Sequence, residues 1–238
     1  MTHDDLYHRA GLGRVGTVMG DIHFERGLGQ QGRAWDCSLV LVKYLETRPE
    51  EVRGKGVLEL GCGVGLPGVA AAIAGAEQVI LTDMAVGLPV IERTIELNPT
   101  VKDHLSGDVL LWGDEVAAAR LISRARCPVS VVICSDLLYG DGPAAEGSDE
   151  NMCGAAEALV ATLSTICSSP ESLILSCQER RWSGDQGAFF FELMARRGFA
   201  AEAVDLGDIS EQFRGDYSCG LSLLRIRRAG NERATSSR

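Results

Sequence analysis

Apolar residues recur along this chain in two alternating patterns. Short continuous runs bounded by Gly, Asp or Pro read as buried strands at 56–61, 78–83, 108–112, 129–135 and 172–178. Between them, apolar positions three and four apart predict helices near 67–75, 88–97, 114–124 and 151–167. Pro170 stops the last of these, whose stripe includes Ala156, Leu159, Leu163 and Ile166. A further helix at about 186–197 ends at Gly198, and strands near 201–206 and 221–227 close as an antiparallel hairpin. Upstream, a glycine-rich stretch holds short strands at 14–19 and 21–25. A helix follows Trp35, with Asp36 as its cap and Cys37, Leu41, Tyr44 and Leu45 at helical spacing.

Strands alternating with helices predict an α/β fold, a mostly parallel sheet covered on both faces. Ligands in such sheets bind outside the carboxyl ends of the strands, near the switch in strand order. The expected division is an N-terminal extension over 1–33, partly flexible, one catalytic domain over 34–228, and a disordered tail over 229–238.

Composition narrows the classes. A chain of 238 residues, 45% hydrophobic, can build one large core. It contains no run of the roughly 18 apolar residues that a membrane span needs, and no charged-then-apolar secretory leader. The cytoplasm, with the nucleus as an alternative, is the expected location. The eight cysteines are scattered without a C-x-x-C pair, several inside apolar runs, and read as small buried hydrophobes. Four histidines show no ligand spacing, so no metal is expected. A formal net charge of −10 argues against a general nucleic-acid binder and suits a cationic substrate group.

The candidate chemistry starts at Val57-Leu58-Glu59-Leu60-Gly61-Cys62-Gly63-Val64-Gly65-Leu66-Pro67-Gly68. This is a strand running into a glycine turn and then a small-residue helix, which brings bare backbone against a ligand at a helix N-terminus. Asp83 ends the next strand, 22 positions after Gly61 and close to the roughly 20 expected of a ribose-binding acid. Gly63, Gly65 and Gly68 also spell G-x-G-x-x-G, but Gly61 already ends the strand and Glu59 interrupts its apolar run. The wording E-L-G-C-G-V-G resembles the first motif of the seven-strand S-adenosylmethionine-dependent methyltransferases.

A second acid, Asp136 in Ile133-Cys134-Ser135-Asp136-Leu137-Leu138-Tyr139, ends the central strand and is costly to bury unless it meets water, a partner or a cation. That segment resembles the acid-x-x-aromatic signature of the protein-lysine methyltransferase group called methyltransferase family 16. Gly32-Arg33-Ala34-Trp35 with the helix after it, Leu110-Leu111-Trp112-Gly113-Asp114-Glu115 and Ser176-Cys177-Gln178-Glu179-Arg180-Arg181 are similar to further motifs of the group. The wording is closest to the branch of the Hsp70 and valosin-containing-protein lysine methyltransferases. The chain departs from that pattern at Ser38 and Ser135, where alanine is usual, and in a longer loop over 140–150.

The resemblance implies a Rossmann-like class I methyltransferase fold of seven strands with S-adenosylmethionine as cofactor. Gly61, Cys62 and Gly63 would line its methionine end, Asp83 its ribose and Trp112 its adenine. Trp35 would also contact it, and Ser135 would sit near the transferring end. Asp136 and Tyr139 are the implied catalytic pair. The implied partner is a protein with an accessible lysine, a chaperone or AAA ATPase, with no nucleic acid and no membrane. Taken singly, Trp35 and Trp112 read as core aromatics and Asp136 as a turn former. Competing readings are an NAD-dependent oxidoreductase, methyl transfer to a small molecule or base, and a non-catalytic adaptor. The oxidoreductase lacks a catalytic His, Lys or Tyr-x-x-x-Lys set, and D-L-L-Y lacks the Pro-Pro centre of base amino-methylating enzymes.

Overall fold

The computed structural model describes residues 11–27, 30–138, 151–179, 186–209 and 220–229. Its core is a seven-stranded sheet built from β3 (Gly56–Leu60), β4 (Gln78–Asp83), β5 (Leu105–Val109), β6 (Val129–Ser135), β7 (Leu173–Glu179), β8 (Phe199–Val204) and β9 (Leu221–Arg228). The spatial order is β5-β4-β3-β6-β7-β9-β8. Strands β3 to β7 pair in parallel, while β9 runs antiparallel between β7 and β8. The order reverses between β3 and β6, so the carboxyl ends of those two strands flank the switch point where ligands collect in open α/β sheets.

Side chains alternate across this sheet, as strand geometry requires. Val57, Val79, Leu81, Val131, Ile133 and Leu175 face one core, with helices α1 (Asp36–Thr47), α2 (Leu66–Ile73) and α3 (Leu88–Leu97) packed over it. Leu58, Leu60, Ile80, Val132, Cys134 and Ile174 face the other, under α4 (Glu115–Ser123), α5 (Asn151–Ile166) and α6 (Gln186–Arg196). Glu59 shares the parity of Val57 and therefore points a carboxyl into the first core. Among the described residues no helix is long and apolar enough to cross a membrane.

Strands β1 (Gly11–Thr17) and β2 (Gly20–Arg26) form a separate antiparallel hairpin. Ile22 and Phe24 are fully buried against the first core, each worth about 1.5–3 kcal/mol of transfer free energy. Asn98 completes the docking: its Oδ1 accepts from His23 N at 3.0 Å and its Nδ2 donates to His23 O at 2.7 Å.

Four expectations need correction. The first strand, placed at 14–19, is Gly11–Thr17, with Val18 and Met19 in the turn before β2. The strand placed at 108–112 is Leu105–Val109, because Leu110, Leu111 and Trp112 are apolar for a different reason: they leave the sheet and wall a cavity. The penultimate strand lies at 199–204, not 201–206, anchored by buried Phe199. The cap of α1 is Trp35, and Asp36 is its first helical residue, where its charge still suits the helix N-terminus. The tail from 230 onward lies outside the described residues, as do the first ten.

Candidate active site

Three glycines make the turn after β3 possible. Gly61, Gly63 and Gly65 have φ of 54°, 52° and 69°, in the left-handed region where a Cβ is penalised. Cys62 between them donates its N–H to Thr82 O at 2.9 Å, tying the turn to the neighbouring strand. Gly68 serves another purpose. It sits inside α2, where a Cβ would come within 2.3 Å of Leu81 Cδ2 and 2.6 Å of Glu59 Oε2, so it permits helix and sheet to meet.

Asp83 ends β4 with its side chain almost covered. Its Oδ2 accepts from Gly63 N at 2.9 Å and its Oδ1 from Met84 N at 2.7 Å. Each carboxylate oxygen keeps lone-pair capacity beyond its one backbone amide. Beneath the loop, Glu59 is fully buried; its Oε2 accepts from Gly68 N at 2.7 Å and its Oε1 has no hydrogen-bond partner among the described residues. Burial pushes this carboxyl up to about 8, against the pull of the Gly68 N–H, and the Asp83 charge adds to the rise. Burial likewise raises the Cys62 thiol well above its usual range, with Glu59 and Asp83 contributing. Cys62 is therefore a neutral wall of the loop rather than a nucleophile.

At the end of β6 the chain turns abruptly. Asp136 is the one non-glycine residue with positive φ, 53°, among those described, and its N–H donates to Cys177 O at 2.8 Å. Two residues on, Leu138 N donates to Gln178 Oε1 at 3.1 Å, while Gln178 Nε2 donates to Ser176 Oγ at 3.0 Å. The segment after Asp136 is thus stitched to β7 by both main chain and side chain. A non-glycine residue held in the left-handed region needs such support, and such strain concentrates at functional sites.

These elements enclose a cavity of about 540 Å³, within the usual size range of small-molecule sites. Trp35, Gly61, Cys62, Gly63, Asp83, Trp112, Ser135 and Asp136 all line it. Eight of the nine residues singled out from the sequence therefore converge on one space; the ninth, Tyr139, lies outside the described residues. Trp35 and Trp112 are half-buried cavity walls rather than core aromatics. Sequence reading missed Gln31, Ser38, Met84, Leu137, Gly154, Ala155 and Ala158 as site residues, and with Leu110 and Leu111 they complete the lining. Only Ser38 carried a signal, as a departure from the usual alanine. No group of three His, Cys, Asp or Glu able to hold a metal occurs among the described residues.

A strand-end carboxylate with free lone pairs beside bare glycine backbone, on a parallel sheet's switch point, is a nucleoside-binding arrangement. Residues 21–197 match the protein family described as lysine methyltransferase. The chain belongs to that family. It is 31% identical over 157 residues to the protein N-lysine methyltransferase METTL21A of Mus musculus, an alignment covering 65% of this chain and 64% of the mouse protein, so it spans just under two thirds of that relative. It is 26% identical to EEF1A lysine methyltransferase 3 of Xenopus tropicalis over 76% of this chain and 72% of the frog protein. A putative rRNA-methylase from Clostridium thermocellum superposes with a TM-score of 0.51 at 16% identity, covering 80% of this chain and 96% of that one, and shows the shared fold. The Rossmann-like methyltransferase fold expected from the sequence is the fold found.

S-adenosylmethionine is the cofactor that this lysine methyltransferase family and its fold imply. The cavity fits it: Asp83 offers acceptors to a ribose, Trp35 and Trp112 offer flat apolar walls, and the glycine turn lets backbone approach a charged tail.

Proposed function

We propose that this chain is a protein-lysine N-methyltransferase that uses S-adenosylmethionine to methylate the ε-amine of a lysine on a protein substrate. The observation that carries this reading is Asp136: a nearly buried carboxylate, in left-handed conformation, lining the same cavity as the glycine turn and Asp83. Both curated relatives carry lysine methylation in their names, which supports the same chemistry.

When bound, the cofactor supplies an electrophilic methyl group on a sulfonium. Asp83 would hold the ribose, Trp112 would stand by the adenine, and Gly61, Cys62 and Gly63 would line the methionine end. Trp35 and Ser135 line the same cavity. The remaining task falls to the substrate side. Free lysine has a pKa near 10.4 and arrives as an ammonium without a lone pair. Asp136 attracts that cation and fixes its direction. Leu137, Ala155 and Ala158 give the same cavity apolar wall, and partial desolvation of an amine seated against it disfavours the charged form. Because a carboxylate by itself would raise the lysine pKa, Asp136 aligns the amine and desolvation promotes loss of its proton. Tyr139, three positions on, is assigned the shielding of that amine.

The substrate class follows from wording at sequence level, which points to a chaperone or AAA ATPase. The frog relative, named for EEF1A, supports EEF1A as a second candidate substrate. Incubating the pure protein with labelled S-adenosylmethionine and a cell extract, followed by mass spectrometry of the labelled band, tests the reading. ε-N-methyllysine in a protein is the expected product. Label confined to small molecules, nucleic acid or N-terminal amines would contradict it.

A further inference from the structure

Ser38 and Ser135 are 97 positions apart in the chain, yet their Oγ atoms lie 3.0 Å from each other. Both side chains are nearly covered, at 6% and 9% exposure, and both line the cavity that holds Asp136. Ser135 is the last residue of β6, directly before Asp136. Ser38 sits in the first turn of α1, its N–H bonded to Trp35 O at 2.9 Å, and its hydroxyl does not serve as the helix cap. The cavity that they line also presents apolar Trp35, Leu137, Ala155 and Ala158.

Two hydroxyls bring two hydrogens and four lone pairs. Their mutual bond uses one of each, which leaves one hydrogen and three lone pairs for whatever fills the cavity. Beside a carboxylate that attracts a cation, lone pairs in an apolar wall are acceptors for N–H groups. Building on the lysine reading above, we propose that the Ser38–Ser135 hydroxyl pair accepts N–H hydrogens of the target amine and thereby limits how many methyl groups that amine receives.

The chemistry makes N–H count decisive. In each round the amine lone pair forms the new N–C bond, the electron pair of the broken S–C bond goes to sulfur, and the product ammonium gives one proton to water before it can react again. Each methylation therefore removes one N–H. A neutral primary amine offers the hydroxyls two N–H groups, a monomethylamine one and a dimethylamine none. In the last case the hydroxyls face methyl groups, and acceptors as nearly covered as these two lose their partners. Alanine in both positions removes that conflict with little change in volume.

Wild type, Ser38→Ala, Ser135→Ala and the double variant are compared in a cell extract supplied with S-adenosylmethionine. The mono-, di- and trimethyl forms of the same lysine are quantified by mass spectrometry at matched total methyl incorporation. Wild type should stop at mono- and dimethyl-lysine. The double variant should raise the ratio of trimethyl to dimethyl by about fivefold or more, the factor expected for one modest hydrogen bond. The single variants should shift it less, in the same direction, and they decide the matter if the double variant does not fold. An unchanged ratio, a shift toward monomethyl, or a wild type that already runs to trimethyl-lysine overturns the proposal while leaving lysine methylation standing. A wild type that makes no ε-methyllysine at all instead removes the lysine reading, and the role of the pair with it.

Discussion

Gly63 donates its backbone N–H to Asp83 Oδ2 at 2.9 Å, joining the glycine turn after β3 to the acid that ends β4. The acid proposed to hold the ribose is thus part of the loop's own framework. Asp83→Ala should remove a cofactor contact and release the turn together. Cofactor affinity should fall by about 1.5–3 kcal/mol, the range for hydrogen bonds to a charged group. Isothermal titration with S-adenosylmethionine reads this directly, and unchanged affinity in a folded variant would remove the ribose assignment.

Two glycines of the same motif should fail in different ways. At Gly61 a Cβ would lie 2.8 Å from Leu137 Cδ2 and 3.1 Å from Trp112 Cζ2, with φ at 54°. Gly61→Ala should therefore disturb the cavity wall and abolish most of the thermal stabilisation that the cofactor confers. Gly68→Ala meets Leu81 and Glu59 inside the core, and should lower stability without cofactor by about 1–3 kcal/mol. Thermal melts with and without S-adenosylmethionine separate the two. Equal behaviour of the variants would contradict the division of labour.

Much of this arrangement was legible in the sequence because it is local. The run Val57–Leu60 into Gly61 marks a buried strand and its turn, and Asp83 and Asp136 end apolar runs in the same way. Strand β5 was misplaced by three residues because Leu110, Leu111 and Trp112 are apolar as cavity wall, a cause that periodicity does not separate from a strand. Glu59 was visible as an interruption in an apolar run, but its bond to Gly68 depends on α2 packing back over β3. The Ser38–Ser135 bond and the stitching of Leu138 to Gln178 join distant positions, and local patterns carry no record of them. The left-handed φ of Asp136 likewise had no sequence signal, since most aspartates keep a negative φ even though the type is enriched at positive values.

Glu59 gives the fold a pH dependence with a definite sign. The folded protein holds a proton on this carboxyl up to about pH 8, whereas an exposed glutamate releases it near 4.5. Between those values the folded state binds more protons, so stability falls as pH rises through the window and levels off above it. Glu59→Gln does not titrate. Its stability relative to wild type should improve from pH 5 to pH 8 by on the order of a few kcal/mol. Parallel pH profiles of the two melting temperatures would show that Glu59 ionises normally in the fold.

Gln178 should act on turnover through the segment it holds. Gln178→Ala leaves the buried Leu138 N–H without its acceptor and frees the stretch after Asp136. Methyl transfer should fall at least about tenfold, chiefly in kcat, with cofactor affinity little changed. Gln178→Glu retains an acceptor for that N–H and should recover part of the rate. Equal loss in both variants would show that the amide does not act through Leu138.

The central claim is that the charge of Asp136 captures and aligns a lysine ammonium, and Asp136→Asn tests it most directly. The substitution keeps the shape and one acceptor oxygen while removing the charge. Single-turnover methyl transfer from labelled S-adenosylmethionine to the extract protein that wild type labels should drop at least about a hundredfold, while cofactor affinity measured by titration stays near that of wild type. An asparagine variant that transfers methyl at a rate close to wild type would contradict the account and return Asp136 to the role of a turn residue.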